Sequence, residues 1–254
     1  MKVSYELNPP KIIKGDFFDP LSLKLDIELL IQRASRLNGL VDGIHLTDSV
    51  LGISRLSSVT SANYIRKTGN TAKLGCSLRV RDRNMISITQ VVVDAILADV
   101  VSLLVLAGDE PPAGPKNSGL LPSNVLIMLN EKKYDRRIQF NLSVPNVVKS
   151  KLSIQRKIEA RPYRFVTQSI TSLSDLGDIV DLAKPYGIGV VGCIMVPSQK
   201  NKSSAAMIGL DWQEYERNPI DFIQGAGKLA DEILLTSPNS FASGIKLLEE
   251  LKIN

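Results

Sequence analysis

One histidine and two cysteines in 254 residues close off several kinds of chemistry at once. A lone His45 excludes any multi-histidine metal site. Cys76 and Cys193 lie too far apart for a local zinc knuckle and are too few for a four-cysteine cluster, so no metal centre is predicted. Two unpaired-looking cysteines also fit a reduced, cytoplasmic protein. Aromatic residues are only 5% of the chain, so aliphatic side chains must build the core. No Lys/Arg patch interleaves with aromatics, which excludes nucleic acid as the expected partner. No long apolar run is present either. The most apolar stretch, Val91 to Leu106, is broken by Asp94 and Asp99 and reads as a helix end, a turn and a strand, so no membrane partner is expected. Met1-Lys2-Val3 leads straight into a strand, which is not the pattern of a secretory signal. A Gly-x-Gly-x-x-Gly turn after the first strand is missing too, which argues against an open dinucleotide-binding sheet.

What the chain does have is 44% hydrophobic content and a formal charge of +5. The first is globular. The second fits a solvated basic surface better than a dedicated anionic ligand site. Short apolar runs alternate with helical periodicity from end to end, which predicts an α/β architecture. Strands are predicted near residues 4–7, Gly43–Leu46, Lys73–Val80, Ser102–Ala107, Arg137–Leu142, Tyr163–Gln168, Gly187–Val196 and Ile233–Thr236. Helices are predicted at Leu21–Leu37, Met85–Leu97, Ser123–Glu131, Val147–Ala160, Ser174–Lys184, Pro219–Ala230 and Phe241–Lys252. Leu25, Leu29 and Ala34 carry the spacing of the first helix. Residues 47–61 read as a long loop, with at most a short helical piece at Tyr64–Gly69, and Ser198–Ser204 as a mobile polar loop. Eight strand–helix units over residues 1–254 are the count of one single-domain (β/α)8 TIM barrel.

The apolar runs stop at polar residues, and in a parallel barrel those stops converge on one mouth. Glu6 ends the first strand, where apolar neighbours could raise its pKa and make it a general acid; an exposed strand-end glutamate is the plain alternative. Thr47 ends the second, ahead of Asp48-Ser49, which suit a turn. Arg81-Asp82-Arg83-Asn84 follows the third. Asn84 fits a helix N-cap, Arg–Asp pairing explains much of the rest, and two rim arginines would also suit phosphate or carboxylate. Gly108-Asp109 ends the fourth, where glycine admits a close planar ligand and the carboxylate can accept from ring N–H groups, or where both simply make a turn. Gln168 ends the sixth with an amide that can donate and accept.

Taken in this order, the motifs resemble the methylenetetrahydrofolate reductase family: Glu6-Leu7-Asn8-Pro9-Pro10, Thr47-Asp48, Arg81 to Asn84, Gly108 to Pro112, and Lys157-Ile158-Glu159-Ala160 through Thr167-Gln168. These landmarks span about two thirds of the chain. The resemblance implies a (β/α)8 barrel of one-carbon metabolism and methionine biosynthesis, an oxidoreductase that reduces 5,10-methylene-tetrahydrofolate or a related C1-tetrahydropterin to its 5-methyl form. It implies Glu6 and Asp109 as catalytic residues, with Glu6 the general acid that protonates the bridging nitrogen. It implies Gln168 and Asp109 as pterin-binding residues, and Thr47, Gly108, Asp109, Arg156 and Lys157 as residues against FAD in a flavoprotein that takes its electrons from NAD(P)H. Departures occur where the family often has His-Leu-Thr-Cys and this chain has Ser77-Leu78-Arg79-Val80, at Ala107, in the short Ser143–Asn146 loop, and at Ser150 and Ser153. They leave FMN, or no flavin at all, open beside FAD. The alternatives are a pterin- or flavin-binding subunit that needs a separate electron-transfer partner, and a pterin-dependent methyltransferase barrel. A homo-oligomer or that electron-transfer subunit is the protein partner these readings allow.

Overall fold

The computed structural model describes residues 1–114, 116–146 and 151–253. Eight parallel strands close into a barrel in simple sequence order, β1 to β8, with β1 pairing β8. They are β1 (Val3–Leu7), β2 (Gly43–Leu46), β3 (Lys73–Arg79), β4 (Ser102–Leu106), β5 (Gln139–Val144), β6 (Arg164–Ser169), β7 (Gly189–Met195) and β8 (Glu232–Thr236). The helices are α1 (Pro20–Leu37), α2 (Ser58–Arg66), α3 (Met85–Leu97), α4 (Pro122–Glu131), α5 (Lys151–Glu159), α6 (Leu173–Ala183), α7 (Lys202–Met207), α8 (Pro219–Leu229) and α9 (Phe241–Ile253). The barrel predicted from the strand count is therefore the fold observed.

Local chemistry sets the helix starts. Asp19 caps α1 by accepting from Leu21 N at 3.0 Å, with Pro20 at the first helical position, where its missing N–H costs nothing. Asn84 caps α3 through Ser87 N at 3.0 Å, and Ser172 caps α6 through Asp175 N at 3.1 Å.

Three expectations need correction. The long loop predicted to residue 61 contains α2, which begins at Ser58 and buries Val59, Ala62 and Ile65; packing of this apolar stripe on β3 outweighs the weak helix preference of its serines, threonine and asparagine. The polar stretch at 198–204 is a 3-10 turn running into α7 and is pinned by the buried Asn201, which donates to Val196 O and Ser237 Oγ. In α1 the buried face is Leu30, Ala34 and Leu37, while Leu25 and Leu29 face solvent at 65% and 43% exposure. The first residues of the helix predicted at Val147–Ala160, Ser150 included, lie outside the described residues.

Side-chain alternation along each strand sorts the core into two parts. Outward residues such as Ile44, Leu46, Leu74, Cys76, Leu78, Leu103, Val105, Leu142 and Phe165 pack beneath the helices. Inward residues form a smaller apolar cluster of Leu104, Val166, Val191, Cys193 and Leu234 inside the barrel. Polar inward residues on β1, β2, β3 and β5 (Ser4, Glu6, His45, Ser77, Asn141) complete the interior.

Candidate functional site

The mouth lies at the carboxyl ends of the strands. Glu6 is the second inward residue of β1. It sits inside the barrel yet keeps partial solvent access, and Thr236 on the adjoining β8 donates its hydroxyl to Oε1 at 2.7 Å. Burial drives its pKa above the ordinary carboxylate range, and the Thr236 hydrogen bond offsets only part of that rise. Glu6 is thus a carboxyl at the floor of the mouth that holds its proton to higher pH than an ordinary glutamate.

Its surroundings are uncharged. Burial foremost, then the nearby Glu6 carboxyl, pushes the Cys193 thiol up to about 12, so it is not a thiolate nucleophile. Cys193 lies 3.8 Å from Ser169 Oγ, and its backbone N–H donates to Thr167 Oγ1 at 2.9 Å. His45, one layer below on β2, sits 2.9 Å from Ser77 Oγ through Nε2, and burial lowers its pKa to about 4. It is a neutral imidazole.

Around the rim, the loops after β1 to β4 are tied together. Thr47 donates to Asn8 Oδ1 at 2.6 Å, and Arg55 donates to Pro9 O at 2.7 Å, which straps the Asn8-Pro9-Pro10 segment onto the loop after β2. At the centre of this network is Arg79, 1% exposed. It pairs with Asp82 at 3.1 Å and donates to Ser49 O and Asp109 O, both at 2.7 Å. Arg83 bridges Asp48 at 2.6 Å and Arg79 O at 2.9 Å, and Arg81 donates to Gly108 O at 2.9 Å. The rim arginines therefore hold loops in place. Arg79 is the residue that the sequence reading passes over. Its one local signal is an arginine in an otherwise buried strand end with Asp82 three positions on.

The remaining predicted residues are more scattered. Asp109 is exposed, with Oδ2 accepting from Leu51 N at 2.6 Å. Gly108, at φ +86°, presses against Arg79, whose Cβ would lie 2.9 Å from a side chain placed there. Gln168 is exposed, beyond the point where the β6–β7 register shifts between Val166 and Ser169. On α5, Arg156 is exposed, while Lys157 is half-buried, donates to Ser143 O and has its pKa lowered by desolvation. Glu6 and Thr236 are in direct contact across the β1–β8 seam, whereas Thr47, Asp109 and Lys157 are each engaged by a different segment. Of the five groups expected against a flavin, Thr47, Gly108, Asp109 and Lys157 already contact the protein's own loops and strands. The residues do not form a preformed flavin cradle. Among the described residues no group of three or more His, Cys, Asp or Glu side chains is placed to hold a metal ion, and no helix is long and apolar enough to cross a membrane.

No family model and no curated protein matches this chain. Solved structures do. Deoxyribose phosphate aldolase from Aeropyrum pernix, described as a unique tetrameric structure, is similar over 99% of this chain and 89% of its own, with a TM-score of 0.58 and 15% identity. An aldolase described as QR15 is similar over 95% of both chains, with a TM-score of 0.58 and 13% identity. At such identities the likeness shows the barrel fold. These neighbours are aldolases and not oxidoreductases, which goes against the expectation of an oxidoreductase of the methylenetetrahydrofolate reductase type.

Proposed function

We propose that the mouth is an acid site for a C1-loaded tetrahydropterin, with 5,10-methylene-tetrahydrofolate as its representative, and that it transfers the C1 unit without a redox step. The observation that carries this reading is Glu6: a carboxyl whose pKa is raised by burial, hydrogen-bonded by Thr236 and partly solvent-accessible. Protonation of the bridging nitrogen by Glu6 turns that nitrogen into a leaving group. The C–N bond breaks towards nitrogen, the five-membered ring opens to an iminium, and a nucleophilic atom of the second substrate that carries two acidic protons adds to the C1 carbon. The remaining C–N bond then breaks towards its nitrogen, which takes the second of those protons, and the C1 unit leaves as a methylene double-bonded to the second substrate. Glu6 is left as a carboxylate, and the proton released by the nucleophile restores it. The uncharged surroundings favour this cycle, because they raise the pKa of Glu6 towards the range in which a carboxyl serves as a general acid. The motif resemblance around Glu6, Thr47 and Gln168 supports a pterin as the ring system.

Ring opening can be measured without knowing the nucleophile, as exchange of the methylene group of 5,10-methylene-tetrahydrofolate with labelled formaldehyde. The protein should bind the pterin saturably and accelerate the exchange, and Glu6→Gln should retain binding while slowing exchange by roughly 10²–10⁴-fold, the usual range for loss of a general acid. Absence of pterin binding, or full exchange in Glu6→Gln, would overturn the reading.

Lys157 supports a second reading. Its amine is partly desolvated, its pKa is lowered, and it reaches the end of β5 in a fold shared with aldolases. Such an amine can condense with a carbonyl substrate, losing water to form an imine. Incubation with deoxyribose phosphate and borohydride, followed by peptide mass analysis, would place the reduced adduct on Lys157 if this reading holds. An unmodified Lys157 removes it.

A further inference from the structure

The opposite end of the barrel contains a polar chamber that plays no part in the proposed chemistry. It has a volume of about 290 Å³ and is lined by the amino-terminal halves of the strands. That is well beyond the roughly 30 Å³ share of one liquid water. Two glycines make the space. A side chain at Gly43 would meet Ser4 Oγ at 2.5 Å, and one at Gly75 would meet Ser102 Oγ at 2.9 Å and His45 Nδ1 at 3.1 Å. The apolar layer of Val166, Val191 and Leu234 forms part of its wall.

Positive charge exceeds negative in this chamber. Asp42 accepts from Val3 N at 2.8 Å. Glu232 pairs with Arg164 at 2.7 Å and also accepts from Ser4 Oγ. Both carboxylates are therefore engaged, and His45 is neutral. Lys2 and Lys73 also line the chamber, and their ammonium groups have no ion pair or hydrogen bond among the described residues. Lys2, Lys73 and Arg164 against Asp42 and Glu232 leave the lining with one positive charge in excess. Asn141 is 93% buried, at 7% exposure, and lines the chamber with its Oδ1 buried and unpartnered. A buried amide with no partner costs about 1–3 kcal/mol. An oxyanion cannot satisfy that oxygen, which only accepts, so the amide's N–H₂ group is the part of Asn141 that bears on an anion.

We infer that this chamber is a second binding site, for a phosphate-sized oxyanion, with Lys2 and Lys73 supplying charge and Asn141 and Ser102 supplying hydrogen-bond donors. The chemistry is that of a phosphate group, whether free or carried on a small monoester. Nothing in the site depends on the pterin reading.

The test is a calorimetric titration of the full chain with inorganic phosphate, and separately with glycerol phosphate, each against sodium chloride at matched ionic strength. One saturable site per chain is expected. Lys73→Met, at an exposed position that leaves the barrel packing intact, should weaken binding at least tenfold. Asn141→Leu, which fills the amide's place, should abolish it. Ser102→Ala serves if Asn141→Leu does not fold, and should weaken binding at least threefold. Tighter binding of phosphate or of the monoester supports the site and identifies which form it takes. Heat that only tracks ionic strength, or binding unchanged in Lys73→Met and in Asn141→Leu or Ser102→Ala, overturns the inference.

Discussion

Thr236 Oγ1 lies 2.7 Å from Glu6 Oε1, across the seam where the last strand closes onto the first. This hydroxyl favours the charged form of a carboxyl whose burial favours the neutral form, so the two effects oppose one another at one atom. Thr236→Val keeps the shape and removes the donor. The Glu6 pKa should then rise further, and the fold should lose about 1 kcal/mol, the usual net value of one hydrogen bond. The protonated-carboxyl stretch in the infrared, assigned with Glu6→Gln, reads the titration directly. A midpoint that stays put or falls would show that Thr236 does not tune Glu6.

Two buried titratable groups of the inner barrel, Glu6 and His45, should give stability opposite slopes with pH. Glu6 has a raised folded pKa, so the native state holds the proton where the unfolded state has released it. Its contribution is fully present below the ordinary carboxylate pKa and is lost as pH rises towards the raised value. His45 is lowered from 6.5 to about 4, so its contribution is complete above 6.5 and is lost as pH falls towards 4. Glu6→Gln should remove a fall in urea midpoint that sets in above the ordinary carboxylate pKa, and His45→Gln a rise between about 4 and 6.5. Identical profiles in wild type and variants would mean that neither group is held neutral by the fold.

Arg79 connects three loops that are distant in sequence, those after β2, β3 and β4. Arg79→Met approximates its volume and removes every donor. Ser49 O and Asp109 O then lose their partner, at about 1–3 kcal/mol for each group left unsatisfied, while the half-exposed Asp82 can turn to water. The expected loss is about 2–4 kcal/mol. Amide exchange should speed up first in residues 49–52 and 108–110, ahead of the strands. Uniform acceleration across the barrel would mean that Arg79 supports the whole fold and not the mouth in particular.

How much of this is legible in the sequence differs between scaffold and site. Met85–Leu97 and Gly43–Leu46 are predicted to the residue, because Asn84 is a strong cap and the short Gly43-Ile44-His45-Leu46 run is bounded by Asp42 and Thr47. α2 is not, since its serines and asparagine are poor helix formers and only contact with β3 and α1 fixes them. Within the site, Glu6 and Thr47 are visible as strand-end polar residues. The engagement of Asp109 by Leu51, 58 positions away, cannot be read from a Gly-Asp pair that equally suits a turn or a ligand. Arg79 is hidden for the same reason, as its partners come from three separate loops. The chamber at the other end leaves only a faint trace, two glycines at strand starts where a bulky inward residue would fill the barrel.

Two glycines with the same backbone conformation separate strain from contact at the rim. Gly52 has φ +69°, and a Cβ there would sit 2.2 Å from the backbone oxygen of Glu110 and 3.0 Å from its carbonyl carbon. Gly119 has φ +77° and nothing within 4 Å of that position. Alanine at either site takes the left-handed penalty of about 1–2 kcal/mol. Only Gly52→Ala must also push the loop after β2 away from the loop after β4, and backbone cannot swing aside as a long side chain can. Gly119→Ala should therefore cost about 1 kcal/mol, and Gly52→Ala about 1–3 kcal/mol more, the range for forced overpacking. Because Leu51 N is held by Asp109 beside this contact, Gly52→Ala should also speed amide exchange at Leu51, while Gly119→Ala should leave that amide protected. Equal losses in urea unfolding for the two variants would show that the loops after β2 and β4 are not in the close contact that shapes the mouth.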